Sequence, residues 1–147
     1  MNSPASSMQL TRGADYAVRI MIYLAGLPDN ERVLLPTLAA AANAPASFLS
    51  KVLQALTRAG LIASRRGQQG GFEMLPQGRA ASVLEVVEAI DGPIRLNVCL
   101  EHGCSGCGRK HWCPANPVWQ QAQEAMIEVL RSSKVAELAE KVEAVAH

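Results

Sequence analysis

The sequence has no long apolar run, no leader-like start and no strong excess of one charge. Its longest apolar stretch is the eight-residue segment Ile20 to Leu27, far short of the roughly 20 residues that a membrane-spanning helix needs. The first residues, Met1 to Ser7, are small and polar, without the basic and then apolar order of a secretory signal. We therefore expect a soluble, cytoplasmic protein with a flexible tail over residues 1–7.

The sequence also lacks familiar catalytic patterns. No phosphate-cradling glycine loop follows a strand, and no Ser/His/Asp constellation is apparent. A cysteine nucleophile activated by His102 or His111 is the remaining enzymatic interpretation. We expect a binding protein and not an enzyme.

The net charge of +1 divides unevenly along the chain. Residues 1–80 carry eight Lys and Arg against four Asp and Glu, and residues 81–147 carry six against nine. A basic N-terminal part and an acidic C-terminal part are typical of a DNA-binding domain joined to an assembly or sensing element, because only the DNA-binding domain contacts phosphates. Ordinary variation in charge is the alternative explanation.

Hydrophobic periodicity predicts three helices at the start of the chain. Apolar residues recur at helical spacing from Leu10 to Ala25 and predict the first helix. We expect Thr37 to cap a short second helix that ends at Asn43, and Ser47 to cap a third that Gly60 terminates. Two helices joined by such a tight turn predict a helix-turn-helix.

A β-hairpin is predicted directly after these helices. Two short strands, Leu61 to Arg65 and Phe72 to Leu75, flank the glycine-rich tip 67–71. A helix-turn-helix followed by a hairpin is a winged helix, so we assign residues 8–80 to a winged-helix DNA-binding domain. The predicted fold class is mainly α with a small β-hairpin wing.

The rest of the chain is predicted to be helical around one irregular loop. Ser82 and Glu85 form a capping box that begins a fourth helix, Val83 to Ile90. A long helix begins at Pro117, and a short one spans Val135 to Val142. We divide this half into a connecting helix and turn (81–95), a cysteine-rich loop (96–116), and a long helix with a C-terminal helix (117–147).

Polar side chains on the third helix are candidates for reading DNA. Ser47 can contact a phosphate, Lys51 supplies a phosphate contact, and Gln54 can pair with an adenine edge. A solvated helix face explains each of them nearly as well. Phe48 is given a mixed role, with packing favoured over base stacking.

The wing carries a second set of candidates, Ser64, Arg65, Arg66 and Gly67. Paired arginines at a glycine-rich hairpin tip can enter a narrow minor groove. Arginine pairs also serve solubility, which is the alternative. We predict that these residues contact double-stranded DNA.

All four cysteines of the chain, Cys99, Cys104, Cys107 and Cys113, lie within one loop. In a reducing cytosol such a cluster favours a metal centre over structural disulfides. Interleaved glycines allow the backbone to wrap closely around an inorganic centre. Three possibilities remain open, namely an iron–sulfur cluster, a four-thiolate zinc site and redox-active free thiols, because thiolates suit both metals.

The sequence resembles the Rrf-type winged-helix regulators, which include the iron–sulfur sensors IscR, NsrR and RirA and the cluster-free repressor CymR. The resemblance covers nearly the whole chain from Met8. It rests on these segments: Met8 to Thr11, Asp15 to Arg19, Ser47 to Leu49, Ala59 to Ile62, Arg66-Gly67 through Phe72, and Ala89 to Ile94.

The resemblance implies a homodimeric regulator, most often a repressor, whose long helices, here Pro117 to Ser132, cross between subunits. It further implies a 2Fe–2S or 4Fe–4S cluster held by loop cysteines, with Cys99, Cys107 and Cys113 at the ligand positions. Seven residues separate Cys99 from Cys107 where many members have five. Cys104 is therefore a substitute for Cys107, a fourth ligand or a spare thiol.

The fourth ligand is where members of the family differ. Regulators similar to IscR have a histidine three residues after the last cysteine, where this chain has Asn116, a poor iron ligand. In those similar to NsrR an aspartate of the partner's first helix ligates, and Asp15 stands at that position. A surface charge near a helix start is the alternative role for Asp15.

The resemblance also bears on the DNA-contacting residues. Ser47, Phe48, Ser64, Arg66 and Gly67 match positions that meet DNA in the family. Ser50 replaces a glutamate that discriminates between operators in regulators similar to IscR, so their operator preference does not transfer.

Overall fold

The computed structural model describes residues 10–67, 70–96 and 113–146. These residues form a mainly helical fold with one two-stranded antiparallel hairpin, which confirms the predicted fold class. In chain order the elements are α1 (Arg12–Ala25), α2 (Leu35–Ala42), α3 (Ala46–Arg58), β1 (Ile62–Arg65), β2 (Gly71–Met74), α4 (Pro76–Arg79), α5 (Val83–Asp91), α6 (Asn116–Ser132) and α7 (Val135–Ala146).

The core forms where α1 meets the two helices of the helix-turn-helix. Thr11 begins α1 by accepting a hydrogen bond from the backbone of Ala14, at 3.1 Å. Helical spacing then places the apolar residues of α1 on one face, which is buried against α2 and α3. The buried residues of these three helices include Ala17, Ile20, Met21, Leu24, Leu38, Ala42, Leu49, Val52, Leu53 and Leu56.

The beginnings of α2 and α3 differ from the sequence prediction. The cap residue of α2 is Leu34 and that of α3 is Pro45, so the predictions that Thr37 and Ser47 act as caps were wrong. Both helices begin beside a proline, whose fixed φ suits a helix start and whose missing N–H would have no partner in the first turn. Asn43, at φ 54°, ends α2 as predicted.

The hairpin extends into the loop before α2. β1 and β2 pair from Ile62 opposite Met74 to Arg65 opposite Gly71. Val33 exchanges two backbone hydrogen bonds with Phe72, at 2.9 and 2.8 Å, and so adds a third, short segment to the wing. The second strand begins at Gly71, one residue before the predicted start at Phe72. The hydrogen bonds of Val33 connect the loop before α2 to this strand.

A short helix, α4, was not predicted. Gly78 packs its bare Cα against the backbone of Leu61. Arg79 donates from its guanidinium to the carbonyl oxygens of Ala25 and Leu27, at 2.9 and 3.4 Å. It thereby satisfies carbonyl groups at the end of α1, the usual role of a cation at a helix C-terminus.

The second half of the chain packs on α1 through α5 and α7. The predicted capping box is confirmed, since Ser82 and Glu85 bond each other's backbone N–H. A small apolar cluster of Ala14, Val83 and Val87 joins α1 to α5. The last helix reaches Ala146, beyond the predicted end at Val142. Among the described residues, no helix is long and apolar enough to cross a membrane.

Candidate DNA-binding surface and cysteine segment

The outer face of α3 carries its predicted DNA-reading residues together. Ser47, Lys51 and Gln54 are exposed and follow one another at i, i+4 and i+7, opposite the buried leucines of the helix. Phe48 is 42% exposed and stands edge-on to Tyr16, with ring centroids 5.7 Å apart. The Phe48 ring therefore packs at the rim, as predicted, and keeps a face open.

An open groove of about 370 Å³ separates α3 from the wing. Gln54 lines it from the helix and Ser64 from β1. The two predicted sets of DNA-contacting residues therefore border one surface. The lining residues are Ser50, Gln54, Thr57, Arg58, Ser64 and Phe72.

The two wing arginines have different surroundings. Arg65 Nε donates to the Glu73 carboxylate at 2.7 Å, and Arg32 Nε lies 3.8 Å from the same oxygen. The Glu73 side chain is only 8% exposed, so this carboxylate fixes the base of the wing. Arg66 is exposed, and within residues 10–67, 70–96 and 113–146 its side chain has no hydrogen-bond or ion-pair partner. Of the two, Arg66 is the arginine available to insert into DNA.

Gly67 shapes the turn after Arg66. Its φ of +102° lies in a region that residues with a side chain rarely adopt. Its carbonyl oxygen accepts a hydrogen bond from the Gly70 N–H at 2.9 Å, which closes the tip. Residues 68 and 69 of the predicted tip lie outside the described residues.

Sequence analysis missed two basic residues of this surface. Arg58 continues the exposed stripe of Ser47, Lys51 and Gln54 at i+11, so helical periodicity alone could have found it. Arg32 joins the wing only through the pairing of its neighbour with β2, and no local pattern indicates that contact.

Asp15 occupies the first turn of α1 and is paired within its own helix. Its carboxylate lies 2.9 Å from the Arg19 guanidinium, and both side chains are about half exposed. Arg19 also donates to the carbonyl oxygen of Ala42 at the end of α2. An exposed pair of this kind contributes little stability, so Asp15 remains open to another partner.

Both ends of the cysteine segment are tied to α6. The Leu96 N–H donates to Gln123 Oε1 at 2.7 Å, and the Cys113 carbonyl accepts from the Asn116 N–H at 3.1 Å. Cys113 is a free, partly exposed thiol just before α6. Hydrogen bonds therefore connect both described ends of this segment to α6.

The other three predicted cysteine ligands, Cys99, Cys104 and Cys107, lie outside the described residues. Within residues 10–67, 70–96 and 113–146, no three potential metal-ligating side chains converge. In particular, Asp15 and Cys113 form no such group within one subunit.

One face of α6 carries a stripe of exposed apolar residues. Val118, Ala122, Ala125 and Val129 recur at i, i+4, i+7 and i+11, and all four are exposed. Val118 is 55% exposed and Val129 is 64% exposed. Monomeric soluble proteins rarely leave such a continuous apolar strip in water.

Comparisons with known proteins agree with this arrangement. The family model described as "Rrf2: Iron-dependent Transcriptional regulator" matches residues 10–141. The chain belongs to the Rrf2 family. This confirms the resemblance inferred from the sequence, and it makes the protein a transcriptional regulator of the Rrf2 family rather than an enzyme.

Two relatives match most of the chain. Protein aau3 of Rhizobium meliloti is 32% identical over 132 residues, which cover 89% of this chain and 84% of that protein. The HTH-type transcriptional regulator NsrR of Geobacillus kaustophilus is 28% identical over 133 residues, 90% of each chain.

Two solved structures share the fold. T. potens IscR has a TM-score of 0.73 and 22% identity, covering 96% of this chain and 93% of that one. CymR, the global cysteine regulator of B. subtilis, has a TM-score of 0.70 and 22% identity, covering 91% and 98%. At these identities the likeness supports the Rrf2 fold and nothing finer.

Proposed function

We propose that this protein is a homodimeric, cytoplasmic repressor that binds a pseudo-palindromic DNA operator and senses redox state, nitric oxide or iron through an iron–sulfur cluster. The observation that carries the DNA-binding part is the shared surface of α3 and the wing. Gln54 and Ser64 border one groove, and the exposed Arg66 follows Ser64 by two residues on the wing. One such surface per subunit fits one half-site each.

Arg66→Ala is expected to weaken operator binding while the fold stays intact. A free arginine at the wing tip suits a narrow minor groove, whose negative potential is enhanced. Loss of such a contact costs about 1–3 kcal/mol, roughly 5- to 150-fold in Kd. The measurement is a gel-shift titration with a duplex that the wild-type protein selects from a random-sequence pool.

Arg131→Ala is the matched control for the wing variant. Arg131 is equally exposed but lies on α6 and pairs only with Glu128 in its own helix. This variant should bind the selected duplex with wild-type affinity. Equal affinities for the wild-type and Arg66→Ala proteins would remove Arg66 from the interface.

A chain of contacts leads from the cysteine segment to the DNA-facing helix. Asp91, the last residue of α5, accepts a 2.6 Å hydrogen bond from the Thr11 hydroxyl at the start of α1. Ile90 and Phe48 both pack against Gly13 in the next turn. The cysteine-rich loop (96–116) follows the end of α5 after four residues. In this proposal a change in the cysteine-rich loop alters the position of α1 against α3 through these contacts. Such a shift would couple the state of the cysteines to DNA binding.

Residues at the start of α6 support the proposal of an iron–sulfur cluster. Cys113 presents a free thiol at a helix N-terminus, where negative charge is stabilised. In this proposal Cys99, Cys107 and Cys113 ligate, with Cys104 or the partner subunit's Asp15 as the fourth ligand. Such a cluster supplies redox and nitric-oxide reactivity. The weak ion pair of Asp15 with Arg19 leaves the carboxylate free to take part.

A four-thiolate zinc site or reversible thiol oxidation is the second candidate for the cysteines. The structure is almost equally similar to IscR and to CymR. CymR is the cluster-free regulator among the family members named in the sequence analysis. Four thiolates also satisfy tetrahedral zinc. In that case the segment would stabilise the dimer or respond to oxidants through its thiols.

Protein purified without oxygen is expected to be brown and to contain iron and sulfide in matched amounts. The measurement is a visible absorption spectrum together with iron, sulfide and zinc content. A colourless protein with one zinc per chain would replace the cluster by the zinc site.

The Cys104→Ala and Asp15→Ala variants then identify the fourth ligand. Loss of a true ligand should cost at least about tenfold in cluster affinity, as the loss of even an outer-shell partner does. The variant at the other position should keep the wild-type spectrum. Asp15→Ala should act only between subunits, so mixed dimers with one altered subunit should keep one cluster of two.

A further inference from the structure

One buried polar group at the start of α6 has no partner. The Asn116 side chain is 7% exposed, and its Nδ2 has no hydrogen-bond acceptor within the described part of the chain. Its Oδ1 accepts from Gln120 Nε2 at 2.8 Å, which sets the orientation of the amide. Buried donors in native proteins nearly always have partners, so an orphan points to a group that the protein binds.

The position of this donor is informative. Asn116 begins a 17-residue helix, and its backbone N–H bonds the carbonyl of Cys113. The orphaned donor and the positive end of the α6 dipole therefore belong to a turn that also contains Cys113, a candidate ligand. A bound group that satisfies both must accept hydrogen bonds and carry negative charge.

We propose that Asn116 Nδ2 donates a hydrogen bond to a sulfur of the iron–sulfur cluster, either a sulfide or the Cys113 thiolate. Asn116 is then a positioning residue and not an iron ligand, because its oxygen is held by Gln120. This inference rests on the cluster of the proposed function. Hydrogen bonds to cluster sulfurs favour the more negatively charged, reduced state and so raise the reduction potential.

Asn116→Leu is expected to affect the apo protein and the cluster-loaded protein in opposite ways. Asn116→Leu removes a buried donor that is unsatisfied in the apo protein, so the apo Tm should stay equal or rise. In the loaded protein the same change should shift the reduction potential to more negative values. It should also speed cluster loss about tenfold, the lower limit for loss of an outer-shell partner. A residue that only supports the fold would lower both the apo Tm and the cluster lifetime.

The experiment compares wild type, Asn116→Leu, Asn116→Asp and the control Gln121→Leu as full-length protein. Each is melted as apo protein and, after anaerobic cluster assembly, titrated by spectroelectrochemistry and followed for loss of visible absorbance. Asn116→Asp keeps the size of the side chain, removes the donor and adds a negative charge, so it should lower the potential further than Asn116→Leu. Gln121 is an exposed neighbour on α6, and its variant should match wild type.

The outcomes separate this inference from the function on which it rests. If wild type assembles no cluster, both are overturned. If wild type assembles a cluster and Asn116→Leu keeps its potential and lifetime, only the role of Asn116 is overturned. Wild-type potential in Asn116→Asp would likewise overturn the hydrogen bond from Asn116, and a lower apo Tm in Asn116→Leu would make Asn116 a structural residue.

Discussion

Val129→Glu is expected to yield a monomer that binds the selected operator about 10²- to 10⁴-fold more weakly, the loss expected when two linked contacts become one. Val129 lies at the end of the exposed stripe that begins at Val118. If this stripe is the dimer interface, each subunit would place a carboxylate in an apolar contact. Burying an unpaired charge is far more costly than losing one methyl contact.

Sedimentation velocity and the gel-shift titration measure the two effects independently. Arg131→Gln is the matched control, because it changes the net charge by the same amount on the polar face of the same helix. It loses only an exposed ion pair with Glu128, which contributes little. A dimeric Val129→Glu protein would place the subunit interface elsewhere.

Gly78→Ala is expected to destabilise the protein by about 3 kcal/mol or more, which lowers Tm by about 10 °C in a chain of this size. A Cβ at this position would collide with the backbone oxygen of Leu61 and lie 2.7 Å from the Met74 sulfur. The backbone oxygen cannot rotate away, because it also accepts the Leu75 N–H at 3.1 Å. The strain would separate α4 from the hairpin.

Gly26→Ala is the matched control for this substitution. Gly26 ends α1 with an ordinary helical φ of −81°, and a Cβ there would come no closer than 3.5 Å to any atom. The change should be neutral or stabilise the protein by about 0.4–1 kcal/mol through the unfolded state. Thermal melts of the two variants followed by circular dichroism make the comparison. A small effect at Gly78 would contradict the close approach of α4 and the strand.

The elements of the winged helix were predictable because local patterns specify them. Helical spacing of apolar residues indicated α1, α3 and α6, and the capping box at Ser82 marked the start of α5. The predicted caps Thr37 and Ser47 failed because prolines nearby began both helices earlier. Several residue types suit a helix start, and the competition between neighbours is decided by how the chain enters the core.

Local patterns also predicted which residues of the candidate DNA-binding surface are exposed. The exposed stripe of α3 and the Arg65-Arg66 pair follow from periodicity and turn chemistry. The sequence did not distinguish the two arginines, because the difference comes from Glu73 across the hairpin. Such cross-strand pairs depend on register.

The sequence by itself determined the family, the helical and hairpin elements, the exposed polar face of α3 and the grouping of four cysteines in one segment. These are properties of neighbours along the chain, and periodicity, turn residues and spacing record them. The tertiary structure alone decided that Glu73 holds Arg65 and that Gly78 must lack a side chain. It also decided that, among the described residues, Arg66 has no partner and the buried Asn116 has an unused donor. Each of these depends on atoms that folding brings close from distant parts of the chain or seals from water, and no local pattern encodes such contacts.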